Sequence, residues 1–119
     1  MAWSSKTQIE NAASVAGTEL FSDVVTLNPG ETALLQVVGN SGGTTDNLII
    51  SVYASLDDSA QNWDTVPIFT FELDCTDGND NDVSFIVSGL YSFRLGFIRD
   101  GSTDTIVTDA WNRKDGVSL

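Results

Sequence analysis

The sequence predicts an all-β protein: an antiparallel two-sheet β-sandwich with Ig-like or jelly-roll connectivity, about seven strands and an N-terminal arm. Apolar and polar residues alternate with period two through Val83–Asp100, on both sides of a break at Gly89. Clusters of Gly, Ser, Thr, Asn and Asp separate short apolar runs, as in all-β chains. No segment with helical periodicity exceeds about two turns.

The first 18 residues, 1–18, are polar and rich in small side chains, and they form the predicted arm. Their spacing of apolar residues predicts a short helix, with an extended arm that orders only against a neighbour, or a frayed terminus, as alternatives. Trp3 favours docking, because an unattached tail has little use for an exposed indole. Trp3 and Ile9 are therefore candidate partner-binding residues. The helical spacing is that of Ile9, Ala12, Ala13 and Ala16.

Residues 19–112 form the predicted sandwich domain, and residues 113–119 a polar C-terminal tail. The turn Asn28–Glu31 places Pro and Gly where a type II turn needs them. The strand Asn47–Ser55 is apolar on both faces, so we expect it to be central. The predicted strands are Glu19–Leu27, Thr32–Val38, Asn47–Ser55, Val66–Leu73, Thr105–Trp111 and the two arms of a hairpin within Val83–Asp100.

That hairpin carries four aromatic residues, which predicts that it forms the floor of the core. The spacing of Gly89 and Tyr91 resembles the corner of Ig-like sandwiches, where a Tyr hydroxyl ties a turn back to nearby backbone.

The composition restricts the function classes. A formal net charge of −12 repels phosphate backbones and anionic lipids, so we expect no nucleic acid and no membrane surface as a direct partner. The absence of histidine removes Ser-His and Cys-His arrangements, histidine metal sites and most general acid–base arrangements. The single cysteine, Cys75, allows no internal disulfide, and the N-terminus has no apolar signal segment. These features predict synthesis in a reducing cytosol and no enzyme.

The acidic loop Asp74–Asp82 is the candidate metal site. A Ca²⁺ ion takes six to eight oxygen ligands, and Asp/Asn-rich loops that contain a Gly can supply them. The alternative is a solvated loop in which Asp and Asn side chains stabilise turns, with no cofactor at all. The candidate ligands are Asp77, Asn79, Asp80 and Asp82.

Trp63 lies in a polar connection and is a third candidate partner-binding residue. Its ring could plug the end of the sandwich, serve a protein interface or stack on a sugar. The basic pair Arg113 and Lys114 could contact an acidic groove of a neighbouring copy, or be a solvated tail. Arg94 is expected to form surface ion pairs.

Several local phrases resemble small virion structural proteins of tailed bacteriophages, over about Asp23–Trp111. The resemblance implies a capsid decoration (cement) protein, made in the host cytoplasm and displayed on the capsid surface as a trimer or monomer. Its partner would be the major capsid protein or another virion protein, with residues 1–18 as the arm tied to the lattice. The phrases are PGE at Pro29–Glu31, VYASLD at Val52–Asp57, NWDTVP at Asn62–Pro67 and YSFRLGFIRD at Tyr91–Asp100, followed by GSTDT.

Two functions from different classes are therefore considered. The first is a structural protein that reinforces an assembled capsid. The alternative is a carbohydrate- or receptor-binding sandwich of a phage tail or cell surface, recognisable by a groove around Trp63 and Tyr53, with or without Ca²⁺ at the acidic loop.

Overall fold

Nine β-strands and no helix form within residues 5–55, 62–88 and 92–115, which are the residues that the computed structural model describes. The strands are β1 Thr7–Val15, β2 Leu20–Phe21, β3 Val25–Thr26, β4 Thr32–Asn40, β5 Leu48–Ser55, β6 Phe69–Leu73, β7 Asn81–Ser88, β8 Ser92–Arg99 and β9 Ile106–Asp115.

The strands form two antiparallel sheets, as the sequence predicts. The four-stranded sheet has the order β1-β9-β4-β7, and the five-stranded sheet has the order β2-β8-β5-β6, with β3 also paired to β8. If β2 and β3 are taken as one interrupted strand, the partners nest as β1–β9, β2/β3–β8, β4–β7 and β5–β6. This is one long antiparallel hairpin wound into two sheets, the jelly-roll topology. Of the two connectivities left open by the sequence, the strand order matches the jelly roll.

The core lies between the sheets, and strict alternation fills it. On β4, Ala33, Leu35 and Val37 are fully buried. From the opposite sheet, β8 contributes fully buried side chains at alternate positions, each worth roughly 1.5–3 kcal/mol of burial free energy. The central position predicted for the strand Asn47–Ser55 is confirmed, because this strand is β5, which lies between β8 and β6. The buried hydrophobic residues of β5 and β8 are Leu48, Ile50, Val52, Ala54, Phe93, Leu95 and Phe97.

The turn between β3 and β4 has the predicted form. Gly30 has a φ of 84°, and the Glu31 amide donates to the Asn28 carbonyl at 3.0 Å. A positive φ at this position is what a type II turn requires.

The predicted hairpin within Val83–Asp100 is wrong. The two halves are strands β7 and β8, but β7 pairs with β4 in one sheet and β8 pairs with β5, β2 and β3 in the other. A period of two identifies each strand without identifying its partner, and the chain crosses between the sheets at this point. The prediction for Tyr91 falls outside the described residues.

The predicted N-terminal helix is also wrong, because Thr7–Val15 forms β1, the edge strand beside β9. The register shifts twice, between Gln8 and Glu10 and between Glu10 and Ala13, and Ala12 has a φ of 49°. Each bulge inserts a residue that interrupts the alternation, so the apolar positions no longer follow period two in the sequence. Residues 7–15 are thus part of the sandwich rather than a separate arm.

At the other terminus, β9 extends to Asp115. Arg113 and Lys114 therefore lie in a strand paired with β4, not in a tail as predicted. The ladder with β4 continues to the pair Thr32 and Asp115, so backbone pairing holds this polar segment in the sheet. The polarity of the side chains does not reveal this pairing.

Glu10 supplies a test of the β1 packing. Burial, reinforced by the charges of Asp23 and Asp109, raises the pKa of Glu10 above its ordinary value of 4.5. The folded state holds this proton more tightly than the unfolded state, so stability falls as pH rises through the raised pKa. We expect Glu10→Gln to raise the thermal unfolding midpoint relative to wild type at pH 7, and the difference to vanish below pH 4.5.

Thermal scans at both pH values measure this, with Glu72→Gln as the control because that carboxylate is exposed on β6. A Glu10→Gln variant that is less stable than wild type at pH 7 contradicts the assignment.

Candidate functional site

The outer face of the five-stranded sheet carries a group of large side chains that we name the aromatic–arginine cluster: Phe21, Tyr53, Trp63 and Arg94. Tyr53 of β5 and Arg94 of β8 are directly opposite each other in the ladder. Phe21 comes from β2, and Trp63 from the connection after β5. All four point away from the core because they occupy the outward positions of the alternation or lie outside the strands.

The guanidinium of Arg94 is the centre of this cluster. Its carbon Cζ lies 3.8 Å from the centroid of the Phe21 ring and 4.6 Å from that of Trp63. Each such contact is worth about 0.5–2 kcal/mol, depending on solvent exposure. The Nε atom is buried and has no hydrogen-bond partner in the described part of the chain. Among the described residues, aromatic faces therefore hold this cation, and no ion pair of Arg94 is found there.

Tyr53 links the cluster to a carboxylate. Its hydroxyl donates to Glu19, with oxygen–oxygen distances of 3.1 and 3.0 Å, and its ring meets Phe21 edge-on at 5.7 Å between centroids. Burial and the Glu19 hydrogen bond raise the pKa of the Tyr53 hydroxyl above 10.0. The phenol thus stays protonated at neutral pH and acts as a donor.

Gly96 of β8 makes room for this arrangement. A Cβ atom at Gly96 would overlap the Glu19 carboxylate and lie 2.8 Å from Cε2 of Tyr53. Because Gly96 has no side chain, Tyr53 and Glu19 can lie directly over the β8 backbone.

Two loops at one end of the sandwich are held together by a reciprocal pair of aspartates. Asp46 is only 2% exposed, and its Oδ2 accepts the amide hydrogens of Thr103 and Asp104, both at 2.8 Å. The Asp104 carboxylate in turn accepts the amides of Thr45 and Asp46, both at 3.0 Å. Hydrogen bonds to charged groups contribute about 1.5–3 kcal/mol each, so loops 41–47 and 100–105 form one rigid unit.

The predicted metal ligands lie at this same end, and their carboxylates accept hydrogen bonds from separate donors. Asp77 accepts hydrogen bonds from the Asn79 amide and the Asn81 side chain, which lower the pKa of Asp77. Asp80 accepts from Asn40 at 2.8 Å, and Asp82 accepts from Gln36 at 3.3 Å. Within residues 5–55, 62–88 and 92–115, no three His, Cys, Asp or Glu side chains converge on a metal-sized site. The structure therefore does not group the carboxylates of Asp77, Asp80 and Asp82, whereas Asn79 lies against Asp77.

The predicted partner-binding residues have different outcomes. Ile9 is only 4% exposed and belongs to the core, so it is not free to bind a partner. Lys114 donates to the Thr26 carbonyl at 2.7 Å, whereas Arg113 is exposed on the outer face of the four-stranded sheet. Trp63 is half-buried against Arg94. Trp3 lies outside the described residues.

The sequence prediction did not assign Phe21 or Arg94 to this cluster. The outward positions of Tyr53 and Arg94 follow from alternation, but their pairing depends on β5 and β8 being neighbours, which alternation does not show. The signal that was available is a large side chain among small ones on the outward face of each strand. Arg94 lies between Ser92 and Gly96 on that face, and Tyr53 between Ser51 and Ser55.

No protein-family model matches this chain, and no curated protein matches its sequence. In the described part of the chain, no helix is long and apolar enough to cross a membrane.

Gly96→Ala tests the geometry of the cluster. We expect the added methyl group to displace Glu19 and Tyr53 and to destabilise the fold by about 1–3 kcal/mol, as overpacking does. Denaturant unfolding measures the loss, and near-ultraviolet circular dichroism reports the altered Tyr and Trp environment.

The matched control is Gly17→Ala, where a Cβ atom would meet nothing closer than 3.7 Å. If the two alanine variants are equally stable and have the same near-ultraviolet spectrum, the described contact of Gly96 with Tyr53 is incorrect.

Proposed function

We propose that this protein is a non-enzymatic structural protein of a virion, a capsid decoration (cement) protein that binds the major capsid lattice. We further propose that the aromatic–arginine cluster is its docking surface. The composition of that cluster is the observation that carries the proposal. Trp, Tyr and Arg are the residues most enriched at the energetic centres of protein interfaces.

The exposure of the cluster supports this role. Phe21 remains 39% exposed, although its ring contacts both Tyr53 and Arg94. A partner surface that covered these rings would remove apolar area from water and exclude water from the Arg94 contacts. Rigid aromatic side chains bring large contact area at a small cost in conformational entropy.

The charge distribution supports a specific orientation. The protein carries a net charge of −12, yet its docking surface is centred on a cation held by uncharged rings. The loop end carries Asp77, Asp80 and Asp100 as exposed residues. An acidic end directed to solvent would keep decorated particles apart through like-charge repulsion.

The fold and the sequence are compatible with the proposal. Jelly rolls occur in viral capsid domains and in lectins, and a fold does not fix a function. The absence of histidine supports a non-enzymatic role. The phrases that resemble phage virion proteins include the strands that carry Tyr53 and Arg94, as well as Trp63. On a capsid, many copies bind at once, so modest affinity per site is sufficient.

The test compares two tryptophans in similar settings. Trp63 contacts Arg94 on the five-stranded sheet, and Trp111 contacts Lys6 on the four-stranded sheet at 4.8 Å from Nζ to the ring centroid. We expect Trp63→Ala to weaken binding to parent capsids that lack this protein by about 30-fold or more, as loss of an interface hot spot does. Trp111→Ala should bind within about threefold of wild type.

Cosedimentation with the capsids measures both variants, after circular dichroism has shown each to be folded. Wild-type binding by folded Trp63→Ala, or an equal loss by folded Trp111→Ala, would rule out the cluster as the docking surface. If the wild-type protein itself does not bind the capsids, the decoration function is rejected.

A carbohydrate- or receptor-binding module is the second candidate, and one observation favours it. The Glu19 carboxylate lies beside Tyr53 and the exposed Phe21 ring, a combination of hydrogen-bond acceptor and apolar face that sugar recognition uses. A glycan array decides between the two candidates. Signal that depends on Trp63 supports the second, and a wild-type protein without signal excludes glycans on the array.

A further inference from the structure

The edge strands on the two lateral sides of the sandwich differ in length and regularity. On one side, β1 contains two register shifts, and β2 and β3 are only two residues each. Bulges and very short strands are the usual means by which natural proteins prevent their edges from pairing with other chains. On the other side the edges are β6 and β7.

Strand β7 lacks these protections. Among the described strands it pairs with β4 alone, through eight consecutive residue pairs without a shift, so its outer backbone edge is unpaired. From Val83 to Ser88 the sequence VSFIVS contains no charge, no proline and no glycine. A regular, uncharged strand of high β propensity with a free edge is a template for a further strand.

The core also reaches the surface at this edge. The Phe85 ring lies 5.0 Å from that of Phe71 and 6.0 Å from that of Phe69. Phe69 is 37% exposed, and Ile86 on the outer face of β7 is 59% exposed. A strand added to β7 would extend the rows of side chains on the inner and outer faces of the sheet and would cover this apolar rim.

We propose that the occupant of this edge is a second copy of the chain, with β7 pairing antiparallel to β7 about a two-fold axis. The two four-stranded sheets would then join into one continuous sheet across the dimer. Antiparallel pairing centred on Phe85 is self-complementary. It places Val83 opposite Val87 of the second copy on the inner face, and Ser84 opposite Ile86 of the second copy on the outer face.

The charges select this orientation. Asp82 is the charged residue of β7, and in the antiparallel arrangement it faces Ser88 of the second copy. The two Asp82 carboxylates are then about 20 Å apart along the strands, at roughly 3.4 Å per residue, which exceeds the Debye length of about 8 Å at physiological salt. In-register parallel pairing would place them side by side. The acidic loop ends of the two copies likewise lie at opposite ends of the dimer.

Sedimentation velocity over a range of concentrations tests the proposal. We expect wild-type protein to reach twice the monomer mass, and Ile86→Lys to weaken the dimer by about tenfold or more. The substitution places a charge at the joint and, in the two-fold arrangement, brings two lysines into diagonal proximity. Because Ile86 is exposed, the monomer fold should be unchanged.

The matched control is Val107→Lys. Val107 is also exposed, at 43%, on the outer face of the same sheet. It lies on β9, which is two strands away from β7. This variant should dimerise like wild type. A wild-type protein that stays monomeric at all concentrations, forms a trimer, or is equally affected by both lysines overturns the proposal.

Cysteine cross-linking tests the register separately. In the double variant Ser84→Cys/Ile86→Cys, each cysteine faces the other type in the second copy, so oxidation should produce a covalent dimer. Ser84→Cys alone should not cross-link, because the two copies of that residue are diagonal and beyond the Cβ separation of about 3.5–4.5 Å that a disulfide needs. The reverse result would exclude pairing centred on Phe85. Neither result depends on capsid binding, so the dimer and the proposed function are tested independently.

Discussion

The pairing of β4 with β9 is the constraint on which the rest of the structure depends. Nine consecutive residue pairs join Thr32–Asn40 to the last described strand without a register shift. This pairing closes the wound hairpin, since β1 attaches to one side of β9 and β7 to the other side of β4. The inward residues of β4 and β9 then face β5 and β8 across the core. This closure determines which strands lie within each sheet and which lie at its edges. The surface features, including the free edge of β7, follow from that arrangement.

The sequence was sufficient to predict where strands form, but not which strands pair with each other. The period-two alternation predicted the strands, and Ala33, Ile50 and Leu95, which follow that period in β4, β5 and β8, are fully buried. The same alternation gave no information on partners, so β7 and β8 were expected to form a hairpin although they lie in different sheets. In β1, two bulges removed the alternation, and a helical spacing remained in its place.

The candidate site shows the same limit at the level of side chains. Trp63 was recognisable as a large aromatic residue in a polar connection, and the structure places it against Arg94. Arg94 itself was expected to form ion pairs, as a cation in a chain of net charge −12 would. Its contact with the Phe21 ring depends on β2 pairing with β8, and the two strands are far apart in the sequence. In the acidic loop, the carboxylates of Asp77, Asp80 and Asp82 accept hydrogen bonds from separate donors, an arrangement that the spacing of acidic residues does not reveal.

Together these features describe a sandwich with separate surfaces for separate contacts: an aromatic–arginine face proposed to dock on a capsid, and a strand edge proposed to join two copies. Electron cryomicroscopy of the parent capsid carrying this protein tests the central claim most directly. We expect density in which the outer face of the five-stranded sheet, with Trp63 and Arg94, is seated on the major capsid protein. Density in which that face is directed to solvent and another surface contacts the lattice would contradict it.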